Sequence, residues 1–180
     1  MQIAGPWGQW TPGLLMGRTL ANLTLLGAFV GIAEAARDLA LDAATNQTKP
    51  KFGGALRNNA GFVHRVGEIE IAVAAAAGVL SHTADGLDDL LARHSERPIH
   101  LDTAHTCMKD YQCAKWTVHD STVSAVSMAM DVVGGRAYTR GHPLERLYRD
   151  VRAGSFMQPF SPTEARDYVG RVALDIPPDG

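Results

Sequence analysis

The sequence predicts an all-α protein, an up-and-down four-helix bundle with a short extra helix at its C-terminal end. Apolar residues recur at helical spacing through three segments of about 30 residues each. No stretch of the chain alternates apolar and polar residues as a half-buried strand does. Because long helices joined by short loops must pack antiparallel, the three segments are expected to bury their apolar faces against one another.

The first predicted helix runs from Leu14 to about Ala44, after an irregular lead-in over residues 1–13. Gly27 and Gly31 lie four residues apart on it and are expected to let a neighbouring helix approach closely. A polar loop with Pro and Gly follows over residues 45–54. One row at helical spacing, with four residues that broaden its apolar face, comprises Leu20, Leu23, Gly27, Val30 and Glu34, then Leu25, Phe29, Ile32 and Leu39.

Two more long helices are predicted, from about Ala60 to His94 and from about Leu101 to Val133. Ser-Glu-Arg-Pro at 95–98 separates them, and a glycine pair ends the second of the two. The predicted apolar stripe of the helix from Ala60 to His94 comprises Val63, Val66, Ile69 or Glu70, Val73, Ala77, Leu80, Leu87 and Leu91. The predicted stripe of the helix from Leu101 to Val133 comprises Leu101, His105, Met108, Tyr111, Lys115, Val118, Thr122, Ala125, Met128 and Val132.

Two shorter helices complete the predicted domain, which spans residues 14–175. One runs from Pro143 to about Phe156, with proline in its first turn. The other runs from Glu164 to Leu174, with Thr163 as the expected N-cap. Residues 176–180 are expected to form a tail.

Composition excludes several classes of protein. The chain has 180 residues, enough for one domain with a core, and a net charge of −2. No tract of Lys and Arg suits a nucleic-acid backbone. The longest uncharged apolar run, Ile71 to Leu80, is about half of the ~20 residues that span a bilayer. The N-terminus lacks the sections of a signal peptide, so a cytoplasmic protein without nucleic-acid or membrane partners is expected.

The two cysteines do not predict a disulfide or a metal site. Cys107 and Cys113 lie six residues apart in one predicted helix, on different faces, and His105 points to another side than Cys107. Zinc sites use closer pairs of ligands. Two free thiols of the core type are expected, and no metal ligand is assigned.

Gly134 and Gly135 are the feature that points to a specific chemistry. A glycine pair lets backbone N–H groups come close to a ligand, because no Cβ stands in the way. Glycine after a helix can also be only a C-cap. Here a dense run of charges, from Pro143 to Asp150, follows within a few residues.

The segments from Leu14 to Leu174 together resemble the C-terminal helical domain of the acyl-CoA dehydrogenase family. That family carries Gln-x-x-Gly-Gly-x-Gly-Tyr, a short loop, Pro and Arg-Asp; residues 131–138 here read Asp-Val-Val-Gly-Gly-Arg-Ala-Tyr, then Pro143 and Arg149-Asp150 follow. The family's second signature, Arg-x-x-Phe-Gly-Gln, corresponds to Lys-Pro-Lys-Phe-Gly-Gly at 49–54. The order and spacing of the motifs match over nearly the whole chain.

The resemblance implies FAD as cofactor, held across a subunit contact by these two loops. It implies cofactor-binding roles for Phe52, Gly53, Gly134 and Gly135. A bare backbone and a cation suit a pyrophosphate, and an aromatic ring packs against the cofactor. A homo-oligomer, a dimer or a tetramer, is implied as well.

Three departures from the family pattern bear on this cofactor site. Asp131 stands for the family glutamine and places a carboxylate near the expected pyrophosphate. Lys49 stands for the arginine and keeps its charge without the bidentate fork, and Ala137 stands for the third glycine. The charged residues Arg146, Arg149 and Asp150 are expected to brace the turn through ion pairs as much as to contact a ligand.

The family's catalytic base has no acidic counterpart here. In the family reaction, a glutamate removes the α-proton of an acyl-CoA while a hydride passes to the flavin. In most members that glutamate corresponds to Gln158, and in others to a position near Ala21 or Asn22. No catalytic residue is therefore assigned. Glu164 is expected to serve at a helix N-terminus, and Glu34 to lie on a solvated face.

Three functional hypotheses follow from the resemblance. The first is the C-terminal domain of an acyl-CoA dehydrogenase-like flavoprotein of fatty acid metabolism, which acts on an acyl-CoA substrate, uses an electron-transfer partner and is inactive as an isolated chain. The second is a non-catalytic bundle for oligomerisation or for a partner subunit. The third is a flavin-dependent monooxygenase domain of the same fold, whose family histidine would fall at about Met157. His142, near the glycine loop, is expected to be a surface turn residue.

Overall fold

The structure is a computed structural model that describes residues 10–178. Within these residues, three helices of 35, 34 and 33 residues form the body, and a two-stranded antiparallel hairpin connects the first two. The prediction of an all-α bundle is confirmed. Residues 1–9 of the predicted lead-in and residues 179–180 of the predicted tail lie outside the described part. The elements are α1 Pro12–Asn46, β1 Thr48–Lys49, β2 Gly54–Ala55, α2 Ala60–Arg93, α3 Leu101–Val133, α4 Pro143–Val151 and α5 Pro162–Ala173.

Helix α3 is the centre of the bundle and packs against α1, α2, α4 and α5. Towards the C-terminal end of α3, its contacts with α1 use small residues on both helices, including Ala36, Ala40, Ala125 and Ala129, all buried. Towards the N-terminal end, the core contains larger side chains such as Leu26, Met108 and Tyr111. Burial of each large apolar side chain stabilises the fold by about 1.5–3 kcal/mol.

Helix α1 buries only part of the predicted face: Leu23, Phe29 and Val30 are buried as predicted. Leu25 is 51% exposed and Leu20 is 36% exposed, whereas Leu15, Leu26 and Ala33 are buried. The predicted close approach at Gly27 and Gly31 is wrong within this chain, because no atom lies within 4 Å of a Cβ built at either residue. Apolar residues surround much of α1, so its contacts with α3, rather than its own pattern, decide which face is buried.

Helix α1 is also long and apolar enough to cross a membrane by length and composition alone, with a mean hydropathy of 1.5 over its best window. A core helix of a helical bundle can meet the same criterion.

The predicted stripes of α2 and α3 differ in accuracy. On α2, Ile69 is buried and Glu70 is exposed, so Ile69 is the stripe residue of the two alternatives. Val63, which was also predicted to lie on the stripe, is 56% exposed. On α3 the stripe is largely confirmed, including the buried polar members His105, Lys115 and Thr122. Leu101, in the first turn of α3, is 37% exposed.

Helix α4 is shorter than predicted, whereas α5 begins two residues earlier and ends one residue sooner than predicted, and its cap differs. Helix α4 ends at Val151, and a 3-10 helix continues over Arg152–Phe156. Thr163 is not the N-cap of α5, since Pro162 already occupies its first turn and Ser161 caps it. The Glu164 amide donates to Ser161 Oγ at 3.4 Å, and the Ser161 amide donates to Glu164 Oε2 at 2.8 Å. This reciprocal pair is a capping box, so the predicted helix-N-terminus role of Glu164 is confirmed.

Both cysteines are free thiols, as predicted. Cys107 is buried in the core, but Cys113 is exposed, so the expectation of a core thiol is wrong there. Burial raises the pKa of the Cys107 thiol. Over residues 10–178, no group of three potential metal ligands comes together.

Candidate functional site: a cofactor cradle at the end of α3

The structure brings the two motif loops together at the C-terminal end of α3. Lys49 Nζ lies 3.5 Å from the position that a Cβ on Gly134 would take. The Gly134 amide donates to the Met130 carbonyl at 2.8 Å and closes α3. Gly134 has φ 81° and ψ −170°, a conformation that is essentially restricted to glycine. Gly135 is exposed and has no atom within 4 Å of its Cβ position.

The hairpin side of the site presents Phe52 and Gly53. A 3-10 turn over Pro50–Phe52 ends at Gly53, which adopts the left-handed conformation with φ 71°. The half-buried Phe52 ring meets Phe62 of α2 edge-on, with 5.4 Å between ring centroids. Lys49 Nζ lies 5.7 Å from the Phe62 ring centroid. Phe62 therefore links Phe52 to Lys49, and Lys49 links both to Gly134.

We call the cluster of Lys49, Phe52, Gly53, Gly134 and Gly135 the cradle. It contains all four residues that were predicted to bind the cofactor, together with the cation of the second signature. Its bare backbone and its ammonium group are the donor set that a pyrophosphate requires. The residues present therefore fit a dinucleotide, and the individual roles remain predictions.

Asp131 does not face the cradle as an unpaired charge. Its carboxylate lies 3.8 Å from Arg65 Nε of α2, and Arg65 also contacts Glu68 at 2.9 Å. A shallow cavity of about 230 Å³ beside this pair is lined by Asn59, Gly61, Phe62, Arg65, Asp131 and Val132. The motifs contain no signal for Arg65, because it is distant in the sequence and reaches Asp131 only through the packing of α2 on α3.

The charged residues of α4 form ion pairs, but among the described residues these pairs lie within α4 and do not brace the glycine turn as predicted. Arg146 lies 3.9 Å from Asp150, and Arg149 lies 3.6 Å from Glu145 and 3.5 Å from Asp150. His142 is the N-cap of α4, and its Nδ1 accepts the Leu144 amide at 3.2 Å. The expectation of a turn residue is therefore confirmed.

The position of the family's glutamate lies in a second region. Residues 157–160 connect the 3-10 helix to α5, and we call them the 157–160 segment. The Gln158 side chain is exposed there. Lys115 of α3, fully buried, donates through Nζ to the Met157 carbonyl and to the Phe160 carbonyl, the latter at 3.2 Å. Burial lowers the pKa of Lys115.

The other candidate acids and bases are not placed for proton transfer. The hydrogen bonds from the Ser161 side chain and backbone lower the pKa of Glu164, so this carboxylate is held ionised. Asn22 donates to the Arg18 carbonyl at 2.8 Å, and Ala21 is exposed on α1. Lys115 and Gly134 are nineteen residues apart on α3, which is ~28 Å at the rise of an α-helix. The 157–160 segment and the cradle are therefore separate regions of one chain.

The bundle and its two glycine-containing loops together define a helical domain of the predicted type. A family model described as acyl-CoA dehydrogenase, C-terminal domain, matches residues 23–161. The chain belongs to this family, the C-terminal helical domain of flavoproteins of the acyl-CoA dehydrogenase fold.

Among individual relatives, the chain is similar to L-evernosamine nitrososynthase of Micromonospora sp., with 38% identity over 175 residues, 97% of this chain and 39% of the relative. It is also similar to the putative acyl-CoA dehydrogenase YdbM of Bacillus subtilis, with 34% identity over 152 residues, 84% of this chain and 35% of that protein. The chain thus spans well under half the length of the curated relatives that it matches.

A solved structure of KijD3 in complex with FMN and dTDP-3-amino-2,3,6-trideoxy-4-keto-3-methyl-D-glucose has a TM-score of 0.86 and 33% identity. The match covers 98% of this chain and 41% of KijD3. The expectation of a flavin is confirmed at the level of the family, since this relative of the same fold holds one.

Proposed function

We propose that this chain is the C-terminal domain of a flavin-dependent enzyme that oxidises the amino group of a nucleotide-linked amino sugar. The observation that carries the proposal is Gln158, an amide at the position where acyl-CoA dehydrogenation uses a carboxylate. The nearest carboxylate, Glu164, is held by the capping box of α5. The similarity to L-evernosamine nitrososynthase and to the sugar-nucleotide complex of KijD3 supports this choice of substrate.

The two reactions make different demands on the 157–160 segment. Dehydrogenation of an acyl-CoA removes a proton from carbon, so it requires a base of raised pKa beside the substrate. Oxidation of an amine uses the lone pair of the nitrogen itself, and no carbon-bound proton has to be removed. A glutamine at position 158 can hydrogen bond to such a substrate without acting as a base.

The cradle is the proposed site for the pyrophosphate part of FAD. Lys49 supplies the positive charge, and the exposed backbone of Gly135 is open to the phosphate oxygens. The Gly134 amide is bonded to the Met130 carbonyl, so Gly134 contributes the turn that presents Gly135. Phe52 and Gly53 would pack against the cofactor from the hairpin side. When bound, a reduced flavin supplies the electrons that activate dioxygen.

A homo-oligomer and an electron-donating partner belong to the same proposal. Apolar side chains on the outer faces of α1 and α2 are exposed, including Leu25 at 51%, Val63 at 56% and Ile71 at 71%. Exposed apolar patches are typical of protein interfaces. A flavin reductase is the class of partner that would supply reduced flavin. The cytoplasmic location stays a prediction.

Acyl-CoA dehydrogenation is the second candidate, favoured by the similarity to YdbM. Under this alternative, a carboxylate from outside the described residues would have to replace the missing base. Fatty acid metabolism is a weaker expectation than sugar chemistry, because the 38% identical relative is named for an amino sugar.

An assay with both substrates separates these functions. The chain, joined to the remaining part of a full-length relative such as L-evernosamine nitrososynthase, is incubated with FAD, NADH, a flavin reductase, dioxygen and a dTDP-linked 3-amino sugar, and in parallel with an acyl-CoA and an acceptor dye. We expect an N-oxidised sugar by mass spectrometry and no reduction of the dye. Dye reduction without N-oxidation would favour the acyl-CoA reaction, and flavin binding without either activity would favour a non-catalytic bundle.

Binding of flavin to the cradle is measured separately by titration of FAD. Lys49→Gln is expected to raise the Kd by about 10-fold or more, because a charge-assisted hydrogen bond contributes ~1.5–3 kcal/mol. Lys51→Gln is the matched control, an exposed lysine of the same hairpin. An equal effect of both substitutions would contradict a specific role for Lys49.

A further inference from the structure

Lys115 is a buried cation without a carboxylate partner. Its side chain is fully buried in α3, and over the described residues no acidic side chain lies within ion-pair distance of it. Burial of an unpaired ammonium group is costly unless its protons are hydrogen bonded. Here the bonds go to two backbone carbonyls, those of Met157 and Phe160.

The two carbonyls lie on either side of one dipeptide, Gln158-Pro159. Met157 follows the C-terminus of the 3-10 helix Arg152–Phe156, where carbonyl groups lack helical partners. Phe160 lies just before the cap of α5 and packs against Tyr168, with 4.5 Å between ring centroids. One ammonium group therefore holds both ends of the dipeptide from inside the bundle.

The dipeptide itself points outwards. The Gln158 side chain is exposed, while Lys115 beneath it is buried. A surface cavity of about 260 Å³ is lined by residues 156–162 and Glu164. Trp116 lies beside the ammonium, with Lys115 Nζ 5.4 Å and the Arg166 guanidinium 4.4 Å from its ring centroid.

We propose that Lys115 is a positioning residue, which fixes the 157–160 segment so that Gln158 is presented to the substrate as a hydrogen-bonding group. The activity part of this inference rests on the proposed function, but the structural part does not. Because Lys115 lies ~28 Å from the cradle along α3, its effect should leave flavin binding unchanged.

The first test follows local opening by amide hydrogen exchange in the full 180-residue chain. In Lys115→Met, the amides of Met157 and Ser161, which donate to the Gly154 carbonyl and to Glu164 Oε2, are expected to exchange at least about ten-fold faster, while those of the α1–α3 core keep their protection. Lys109→Met, an α3 lysine paired with Asp110 at 2.9 Å, is the control and should change neither. Unchanged exchange in the 157–160 segment of Lys115→Met would overturn the proposal.

If Lys115→Met does not fold, the same measurement on Lys115→Gln decides, since its shorter neutral side chain cannot reach both carbonyls in the same way. Local loss of protection supports the proposal, and protection equal to that of the parent chain overturns it.

The second test separates positioning from stability through turnover of the amino sugar. Lys115→Met is expected to lower kcat by about 10²-fold, the scale of a misplaced catalytic group, with the Kd for FAD unchanged. Gln158→Ala should lower kcat similarly without faster exchange, and the double variant should be no slower than Lys115→Met. Additive losses in the double variant would contradict action through Gln158. If the parent protein does not oxidise the amine at all, the proposed function fails, and the exchange result still decides the role of Lys115.

Discussion

The cradle lies at the C-terminal end of α3, and the 157–160 segment packs on α3 at Lys115. The two regions are built in opposite ways. The cradle is partly exposed, and it combines two backbone conformations that require glycine with a half-buried lysine that has no hydrogen-bond or ion-pair partner among the described residues. At the 157–160 segment, the lysine is fully buried and its protons already bond to the protein. One lysine is therefore proposed to bind a cofactor, and the other to hold a loop.

This difference shows why the residue type alone does not assign a role. Lys49 and Lys115 have the same side chain, but partial exposure lets water or a ligand bond the donors of Lys49, whereas full burial requires the protein itself to bond those of Lys115. Glycine shows the same contrast. Gly134 is needed for its backbone angles, while Gly154 is needed for the space that it leaves beside His119.

Among changes that test the comparison of the two regions, the largest loss of folding stability is expected at Gly134. Gly134→Ala should lower the free energy of unfolding by about 2–3 kcal/mol, because an L-residue is strained at φ 81° and ψ −170°. Gly135→Ala is the control: its Cβ has open space, so little loss, or a gain of about 0.4–1 kcal/mol, is expected. Urea unfolding measures both. Equal destabilisation would show that the cradle does not depend on this conformation.

The corresponding change at the second region is Gly154→Ala. The new Cβ would lie 3.1 Å from His119 Nδ1 and 3.4 Å from the Phe29 ring, both buried. Overpacking of this kind should cost about 1–2 kcal/mol, measured by the same unfolding experiment. A neutral Gly154→Ala would show that the packing around the 3-10 helix is looser than its contacts indicate.

The cap of α5 gives the third effect. Ser161→Ala removes one half of the capping box and should cost about 1 kcal/mol. Thr163→Ala, at the residue that the sequence suggested as the cap, should change stability by less than about 0.5 kcal/mol. Thermal unfolding of the two variants checks the assignment, and the reverse order would restore Thr163 as the cap.

The smallest effect is a dependence on pH at His119. Burial lowers the pKa of His119, and Arg152 and Lys115 lower it further against the opposing charge of Asp120. Below the ordinary histidine pKa of about 6.5, the unfolded chain therefore binds a proton that the folded chain does not. Stability should fall as pH drops from about 6.5 through the lowered folded value, by at most ~1.4 kcal/mol per pH unit.

His119→Gln should remove this part of the pH dependence, measured as the free energy of unfolding at about pH 7.5 and about pH 5.5. His82→Gln, at an exposed histidine of α2, is the matched control and should leave it unchanged. The same pH dependence in parent and His119→Gln chains would exclude His119 as its source.

Local sequence signals predicted most of the fold and the backbone of the cradle. The stripe of α3 was read correctly down to its buried lysine, because α3 contacts helices on several sides and its pattern is constrained throughout. The face of α1 was predicted only in part, with Leu20 and Leu25 wrong, because a helix with apolar residues on most sides leaves its buried face to its neighbours. Gly53 and Gly134 were found through their motifs, and their positive φ angles account for the glycines.

The sequence by itself determined the helices, the glycine positions and the missing carboxylate at 158, since these depend on local geometry and residue type. Only the tertiary structure decided that Arg65 pairs with Asp131, that Lys49 meets Gly134, and that Lys115 holds the 157–160 segment. Each of these contacts joins residues far apart in the chain, and no local pattern records them. Their physical cause is the packing of α2 and of the 157–160 segment on α3, which sets charges and carbonyls at bonding distance.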